Sequence, residues 1–189
     1  FDDGPNPLTT PDILAILEKE QVPATFFVVG SRIPGNEVLL QRMAHDGDEI
    51  GNHSWNHPDF TKLTPVQIKQ QIDQTQAVVL AAGVPAPTLF RPPYGAVNDM
   101  VRSNVDLTFA LWNEDPKDWA ANRPTQVIAA SETAAQPGGV VDLHDIYHLT
   151  SHALTPIIDN LKGRSFHFVT MSQLMAGQPV PPHGEFFGR

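Results

Sequence analysis

Residues 49–57 read Glu49-Ile50-Gly51-Asn52-His53-Ser54-Trp55-Asn56-His57, a short β-strand pattern followed at once by two histidines. Comparable short runs rich in Val, Phe, Ile and Leu recur along the chain and alternate with amphipathic stretches. The sequence predicts strands at Thr25–Val29, Glu49–Gly51, Thr88–Phe90, Leu107–Trp112, Val140–Leu143 and Phe166–Thr170, with one more ending at Phe1. About seven strands that alternate with helices predict an α/β fold with a parallel sheet.

The helices between these strands carry their own start and stop signals. Thr10-Pro11 and Thr64-Pro65 each place a capping residue before a proline, which the first helical turn tolerates. Two of the predicted helices begin at Thr10 and at Thr64, and the second of these ends at Gly83. Three further helices are predicted at Asn36–His45, Pro124–Ala135 and Thr150–Leu161.

Ionisable side chains follow five of the strands, and their positions choose between two architectures. They are Asp2 and Asp3, His53 and His57, Arg91, Asp115 and Asp118, and His144. In a (β/α) barrel the carboxyl ends of all strands share one rim, where barrel active sites lie. An open sheet brings together only the strands beside its switch point. Five contributing strands therefore favour a barrel.

Composition limits the class of protein. A length of 189 residues suits one domain, which we place at residues 1–176, followed by a Pro/Gly-rich tail at 177–189. The chain starts at Phe1 without Met and reads as cut within or just after a strand. A net charge of −9 argues against a nucleic-acid partner. The absence of Cys excludes disulfides and thiolate metal sites, and no apolar run approaches the roughly 18 residues needed to span a bilayer.

Three pairs of histidines are spaced four residues apart: His53/His57, His144/His148 and His148/His152. Two imidazoles at this spacing share one face if the segment is helical, and they make half of a zinc site. Spacing alone does not distinguish the metal-binding pair, and an exposed helix face is the alternative for each.

Asp2 and Asp3 leave their strand as neighbours that point to opposite sides. One can ligate a metal while the other accepts a proton from water, although Asp-Asp-Gly-Pro is also good turn chemistry. Arg91 can hold a carboxylate and keep it ionised. The prolines after Arg91 leave the amides of Tyr94 and Gly95 to meet a ligand oxygen, with a merely rigid loop as the alternative.

Two later segments complete the set, Asp115-Pro116-Lys117-Asp118-Trp119 and Leu143-His144-Asp145. A carboxylate bonded to one ring nitrogen of a histidine fixes its tautomer and raises its pKa, which suits the histidine to act as an acid. Trp119 and Leu143 are candidates to wall a small apolar pocket. Surface aspartates and a strand-end histidine are the alternative interpretation.

Taken in order, these segments resemble the NodB-homology polysaccharide deacetylases, a carbohydrate esterase family. Its members carry (T)FDDGP, H(S/T)xxH, RxPYG, DxxDW and a hydrophobic-x-H motif. Here these correspond to Phe1–Pro5, His53–His57, Arg91–Gly95, Asp115–Trp119 and Leu143–Asp145. Each motif alone is weakly specific, but five in order, spread from residue 1 to about residue 175, are strongly specific.

The resemblance implies a deformed (β/α) barrel that binds one divalent metal, usually zinc, with cobalt or another first-row metal as alternatives. The ligands would be Asp3, His53 and His57. Asp2 would be the catalytic base, tethered by Arg91, and His144 the acid, oriented by Asp118. The Tyr94 N–H would help to form the oxyanion hole, with Leu143 and Trp119 around the acetyl methyl and Pro93 as a further substrate-binding residue. His148 and His152 would lie on a loop near the substrate groove.

One residue departs from the family pattern. Asp142 stands two residues before His144, where the family usually has an aliphatic side chain. A carboxylate there would either perturb the pKa of the acid or lie on the outward face.

The stretch from His144 to Thr170 most resembles bacterial peptidoglycan deacetylases acting on N-acetylglucosamine units. This resemblance implies a polysaccharide substrate and a place of work outside the cytoplasm. We expect a monomer. Chitin oligomers and O-acetylated xylan fit the same chemistry. A glycosidase using Asp2 and Asp115 would need no metal. A non-catalytic carbohydrate-binding relative would lack a motif, and a serine esterase would need a Gly-x-Ser-x-Gly elbow, which does not occur.

Overall fold

A computed structural model describes residues 1–177 and 184–188 of the chain. Five strands form one parallel sheet in the order in which they occur. They are β1 (Thr25–Val28), β2 (Glu49–Asn52), β3 (Leu89–Phe90), β4 (Thr108–Ala110) and β5 (Glu185–Phe186). The helices are α1 (Thr10–Glu20), α2 (Glu37–Asp46), α3 (Pro65–Ala81), α4 (Asp99–Ser103), α5 (Pro124–Ala134), α6 (His148–Gly163) and α7 (Met171–Met175).

Two short extended segments, residues 1–2 and 140–144, close the sheet into a ring. The Phe27 N–H of β1 donates to the Phe1 carbonyl over 2.7 Å, and the Asp2 N–H donates to the Leu143 carbonyl over 2.8 Å. On the far side of the second segment, Asp142 donates its N–H to the Glu114 carbonyl, just beyond β4. The predicted fold, an α/β deformed barrel, is confirmed, and the ring brings the carboxyl ends of its strands to one rim.

The predicted helices are present with small shifts in their bounds. Thr64 and Gln67 form a reciprocal capping box at the start of α3. The last long helix, α6, begins at His148, two residues earlier than the sequence predicts. The short helix α4 was not predicted, because five residues give the periodicity too little length to register.

The prediction of a strand at Phe166–Thr170 is wrong. Within the part of the chain that the structure describes, no strand pairs with this stretch, and Thr170 instead caps α7. Phe166 and Phe168 pack against the core, which explains the strand-like alternation of the sequence. The place on the sheet next to β4 is taken by β5, within the stretch that the sequence marks as a tail. Residues 178–183 and 189 of that predicted tail lie outside the described part of the chain.

Two apolar layers hold the ring in place. Ile13, Leu14 and Leu17 of α1 pack with Phe26 and Val28 of β1 on one side. In a second cluster, the ring of Phe90 packs tilted against Phe60 and edge-on against Phe109, with centroids 5.0 and 5.6 Å apart. Buried aromatic pairs of this kind add to area burial and fix β3 and β4 against the loop after β2. Within the described residues, no helix is both long and apolar enough to cross a bilayer.

We expect Gly51→Ala to destabilise the barrel. A Cβ at this position in β2 would clash with Cδ1 of the buried Phe27 ring, and backbone or ring must move to admit it. Overpacking of this kind costs roughly 1–3 kcal/mol in the free energy of unfolding, measurable by urea denaturation. Gly163→Ala is the control, because nothing lies within 4 Å of its added Cβ. Equal stability of the two variants would contradict this account of the β1–β2 packing.

Candidate functional site

Three side chains from two strand ends converge on one point at the rim. Asp3 Oδ1 lies 3.5 Å from His53 Nε2 and 3.3 Å from His57 Nε2, and the three ligand atoms all lie within 4.8 Å of one another. Asp3 Oδ1 is buried and has no hydrogen-bond partner in the described part of the chain. A buried carboxylate oxygen facing two imidazole nitrogens is a suitable donor set for a divalent cation. The predicted ligands are therefore brought together.

The protonation state of His53 also fits a metal ligand. Its Nδ1 lies 2.7 Å from the Arg91 carbonyl, which can only accept, so Nδ1 carries the proton and the Nε2 lone pair faces Asp3. Burial lowers the pKa of His53, against the raising effect of Asp2 and Asp3. The neutral ring is the form that binds a metal.

The two histidine ligands do not share a helix face, as their spacing would require of a helix. His53 directly follows β2, and His57 lies in the loop beyond, where Ser54 and His57 have left-handed φ angles of 74° and 62°. Ser54 donates its N–H to Asn52 Oδ1, and the His57 N–H donates to Ser54 Oγ. These bonds hold the histidine rings with centroids 4.9 Å apart. Asp3 has a left-handed φ of 74° as well, and such backbone strain tends to collect at functional sites.

Asp2 lies beside the ligand set on a buried arginine. Arg91 Nη1 donates to Asp2 Oδ1 over 2.7 Å, and Asp2 Oδ2 lies 3.6 Å from His53 Nε2. Burial raises the pKa of Asp2, but the lowering effects of its neighbours, the positive charge of Arg91 foremost, outweigh burial and hold the pKa at about 2. Asp2 is therefore a carboxylate at neutral pH, one oxygen held by Arg91 and the other facing the ligands.

Asp142 is buried on the same guanidinium rather than on the outward face. Arg91 Nη1 donates to Asp142 Oδ1 over 2.6 Å. Burial and the negative charge of Asp2 raise the pKa of Asp142 to about 7, against the lowering effect of Arg91. The alternative that the sequence left open, an outward-facing carboxylate, is excluded.

His144 and Asp118 form a second cluster with a different character. His144 Nδ1 lies 2.8 Å from Asp118 Oδ1, and the His144 backbone N–H donates to Asp118 Oδ2 over 2.7 Å. Thr150 donates its hydroxyl to the same Oδ2, a contact that no sequence pattern indicated. Burial lowers the pKa of His144, but the hydrogen bond and charge of Asp118, with Asp142 and Asp2 beyond, outweigh it and raise the pKa to about 9. His144 is therefore protonated at neutral pH.

The remaining predicted site residues differ in exposure. Tyr94 has a left-handed φ of 61°, and its exposed ring contacts that of His57 edge-on, with centroids 4.6 Å apart. Within residues 1–177 and 184–188, no protein group accepts the Tyr94 N–H. Pro93 and Leu143 are buried, whereas Trp119 is half exposed. The four predicted residues thus include both buried and exposed side chains.

Three further predictions have outcomes in the structure. His148 and His152 lie exposed on the first turns of α6, so the predicted loop there is wrong. Asp115 is exposed, and its carboxylate accepts the Lys117 N–H in a turn. Asp145, which follows His144, is buried and accepts the Thr10 hydroxyl, tying the rim to the start of α1. Sequence reasoning had assigned no such structural role to Asp145.

Comparisons with known proteins agree with this geometry. The family model described as polysaccharide deacetylase matches residues 1–108. Peptidoglycan-N-acetylmuramic acid deacetylase PdaC of Bacillus subtilis is 42% identical over 92% of this chain, and its solved structure superposes with a TM-score of 0.89 over 86% of that chain. Peptidoglycan-N-acetylglucosamine deacetylase PgdA of Listeria monocytogenes is 37% identical over the same share. The matched region spans 37% of the length of each of these two relatives.

A third relative carries a metal. The family 4 acetyl xylan esterase of Clostridium thermocellum, solved in complex with a cobalt ion, is 37% identical. Its structure superposes with a TM-score of 0.90, over 96% of this chain and 90% of that one. The cluster of Asp3, His53 and His57 is accordingly a divalent metal site.

We expect Asp3→Ala and His57→Ala each to lose tight binding of a divalent metal, because each removes one of three protein ligands. Isothermal titration with zinc and cobalt measures the affinity directly. His148→Ala is the control, since it removes an exposed histidine on α6 and should leave the affinity unchanged. Metal binding that survives His57→Ala but not His148→Ala would place the site elsewhere.

Proposed function

The chain belongs to the polysaccharide deacetylase family, and on that premise we propose that it hydrolyses acetyl groups from N-acetylglucosamine units of a polysaccharide, peptidoglycan first among the candidates. One observation carries this proposal. A buried carboxylate, Asp2, adjoins the three-ligand metal site. His144, which is protonated at neutral pH, lies at the end of segment 140–144 and forms a β-bridge with Asp2. A metal site with an acid and a base beside it can hydrolyse an amide.

A divalent ion held by Asp3, His53 and His57 would polarise the acetyl carbonyl as a Lewis acid and lower the pKa of water. Asp2 acts as the base. Its Oδ2 faces the ligand set, while its Oδ1 is fixed by Arg91, so the carboxylate can take a proton from the attacking water without rotating. Arg91 is the positioning residue for this base.

His144 acts as the acid that protonates the leaving sugar amine. Asp118 holds the proton on Nδ1 and so leaves the Nε2–H of the charged ring to donate. An amide needs this second proton transfer because a free amide anion is a poor leaving group. An O-acetyl ester needs it less, since an alkoxide leaves more readily.

The rim supplies the remaining functions in this proposal. The unpaired Tyr94 N–H is the donor for the developing oxyanion. Leu143, Pro93 and Trp119 surround the acetyl methyl, and the half-exposed Trp119 ring suits contact with a sugar face. The catalytic domain would include β5 as well as residues 1–176, because β5 pairs with β4 in the sheet. We propose zinc as the native metal, because carboxylate and imidazole ligands suit it.

The substrate and the place of work rest on the relatives. Two of them are named for peptidoglycan, one acting on N-acetylmuramic acid and one on N-acetylglucosamine, and a third is an acetyl xylan esterase. Chitin oligomers are a further candidate. Peptidoglycan as substrate implies that the domain works outside the cytoplasm. We propose a monomer that binds no nucleic acid, the latter because of its net charge of −9.

A metal-independent glycosidase is a weaker hypothesis. It would need Asp2 and Asp115 as a carboxylate pair across a sugar. Asp2 is buried on Arg91, whereas Asp115 is exposed and engaged in a turn. A non-catalytic carbohydrate-binding relative is disfavoured too, because all five motifs are retained.

We expect release of acetate from N-acetylglucosamine oligomers and peptidoglycan that stops on chelation and returns with added zinc. Asp2→Asn should keep the metal but lose turnover by roughly 100-fold or more, because the base is removed while the ligands remain. Enzymatic acetate detection, with metal content measured on the same samples, checks both statements. Acetate release indifferent to chelation would overturn the metal mechanism, and Asp2→Asn without metal would make Asp2 a ligand.

The alkaline limb of the pH–rate profile should follow His144. Its pKa is raised to about 9, so the acid is protonated below that pH and activity falls as the pH rises through it. Asp118→Asn removes the charge that stabilises the imidazolium, and the limb should move to lower pH. Asp115→Asn, which changes an exposed carboxylate of the same loop, should leave the profile unchanged. An unmoved limb in Asp118→Asn would contradict the assignment of His144, and inactivity of Asp115→Asn would favour the glycosidase.

A further inference from the structure

Arg32 is an exposed cation held at the edge of the metal site. It ends a short 3₁₀ helix just after β1. The two residues before it donate their N–H groups over 2.9 Å to the carbonyls of Ser54 and Trp55, in the loop between the two histidine ligands. Arg32 Nη1 donates over 2.9 Å to the backbone carbonyl of Asp3, the third ligand. The guanidinium is therefore fixed within the span of one residue from the Asp3 carboxylate.

The charge of Arg32 has no anionic partner within residues 1–177 and 184–188. Arginines that do form ion pairs there are Arg42, Arg91 and Arg102. The bond from Arg32 to Asp3 uses one of the five N–H protons of a guanidinium and leaves its charge uncompensated. Lys117 and Arg123 are exposed and unpaired as well, but of these three cations only Arg32 bonds to a metal ligand. Arg32 is thus a cation available to a ligand at the site itself.

Arg32 also borders the space that the catalytic acid faces. The Tyr147 ring lies next to the His144 ring, with centroids 5.8 Å apart. Burial raises the pKa of the Tyr147 phenol. The charges of Asp3 and Asp118 raise this pKa further, whereas the positive charge of Arg32 lowers it. Tyr147 is therefore close to both halves of the site, and Arg32 lies on the metal side of the space between them.

A guanidinium in this position is suited to bind a carboxylate. Its N–H groups form a planar fork that matches the two oxygens of a carboxylate, which the ammonium of a lysine does not. Nε and Nη2 of Arg32 have no acceptor in the described part of the chain, while Nη1 is held by the Asp3 carbonyl. Because this bond already restricts the side chain, less conformational entropy is lost when a ligand binds.

We propose that Arg32 determines substrate specificity by binding a carboxylate that the polysaccharide carries on the acetylated sugar or on its neighbour. This inference rests on the proposed function, in which an acetylated sugar occupies the metal site. Two sources supply such a carboxylate, the lactyl ether of muramic acid in peptidoglycan and a uronic acid branch in xylan. A neutral N-acetylglucosamine oligomer offers Arg32 no carboxylate and is bound without its help.

The test measures kcat/KM on matched charged and neutral substrates. Peptidoglycan glycan strands freed of peptides are compared with the same strands after conversion of the lactyl carboxylates to amides. Acetylated glucuronoxylan is compared with its carboxyl-reduced form. We expect the wild type to prefer the charged member of one pair by roughly 10- to 100-fold, the effect of hydrogen bonds to a charged group, and the pair identifies the source. A wild type that prefers neither charged member would overturn the inference.

Two variants of Arg32 separate recognition from support of the backbone. Arg32→Gln removes the charge, whereas Arg32→Lys keeps the charge and a donor for the Asp3 carbonyl but loses the planar fork. We expect Arg32→Gln to abolish the preference by lowering kcat/KM on charged substrates only, and Arg32→Lys to retain part of it. Activity on N-acetylglucosamine oligomers and affinity for zinc should match the wild type in both. Equal losses on charged and neutral substrates, or a weakened zinc site, would reduce Arg32 to a support of Asp3 and overturn the inference.

Arg164→Gln is the matched control, because Arg164 is also an exposed arginine that bonds to backbone carbonyls. Its Nη1 and Nη2 donate to the carbonyls of Glu132 and Ala135. It follows α6, whose 16 residues place it about 24 Å from the end of the helix near His144. The preference for charged substrates should be unchanged in this variant. Its loss would assign the effect to the net charge of the protein and contradict a site at Arg32.

Isothermal titration gives a readout that does not depend on turnover. Both substrate pairs are titrated into the zinc-loaded protein in an Asp2→Asn background, with and without Arg32→Gln. We expect the charged member of the preferred pair to bind roughly 10- to 100-fold more tightly when Arg32 is present, and both members to bind alike when it is replaced. Equal affinities in the presence of Arg32 would overturn the inference. If no acetylated polymer releases acetate from the wild type, the proposed function fails, while this titration still decides whether Arg32 binds a carboxylate.

Discussion

The buried guanidinium of Arg91 is the interaction on which the site depends. It bonds to two backbone carbonyls at the end of β4, to Asp2 on the first segment and to Asp142 on the barrel-closing segment. Its own backbone carbonyl accepts the proton of His53 Nδ1. A buried charge is costly unless its hydrogen bonds are all made, so loss of one of these contacts destabilises the others. Closure of the ring and orientation of the metal ligand thus have a common cause.

The two halves of the site solve opposite electrostatic problems. The positive charge of Arg91 beside Asp2 keeps this carboxylate ionised despite burial, with a pKa of about 2. Asp118 does the reverse for His144 and keeps the ring protonated, with a pKa of about 9. A group that takes a proton and a group that gives one can then coexist at neutral pH. The separation comes from partners on neighbouring strand ends, which the barrel brings to the same rim.

The sequence predicts the barrel from the ionisable side chains at its strand ends, whereas the metal ligands and the His144–Asp118 pair are predicted only through the resemblance to the family. It does not predict the loop conformation of His53–His57, since four-residue spacing fits a helix and only the left-handed Ser54 and His57 exclude it. Phe166–Thr170 has the alternation of a strand because Phe166 and Phe168 pack against the core, but within the described residues no strand pairs with it. The burial of Asp142 depends on its ion pair with Arg91, 51 residues away in the chain, which periodicity cannot reveal.

The most direct test of the account is a crystal structure of the zinc-loaded protein with anomalous scattering recorded at the zinc edge. The account predicts one strong peak, from a zinc ion bound by Asp3 Oδ1, His53 Nε2 and His57 Nε2. Asp2 Oδ2 should lie near the ion and accept a hydrogen bond from a water ligand rather than bind the ion itself. A peak coordinated directly by Asp2, or one held by His148 and His152 instead, would contradict it. In either case the division between ligand and base, on which the proposed mechanism rests, would be lost.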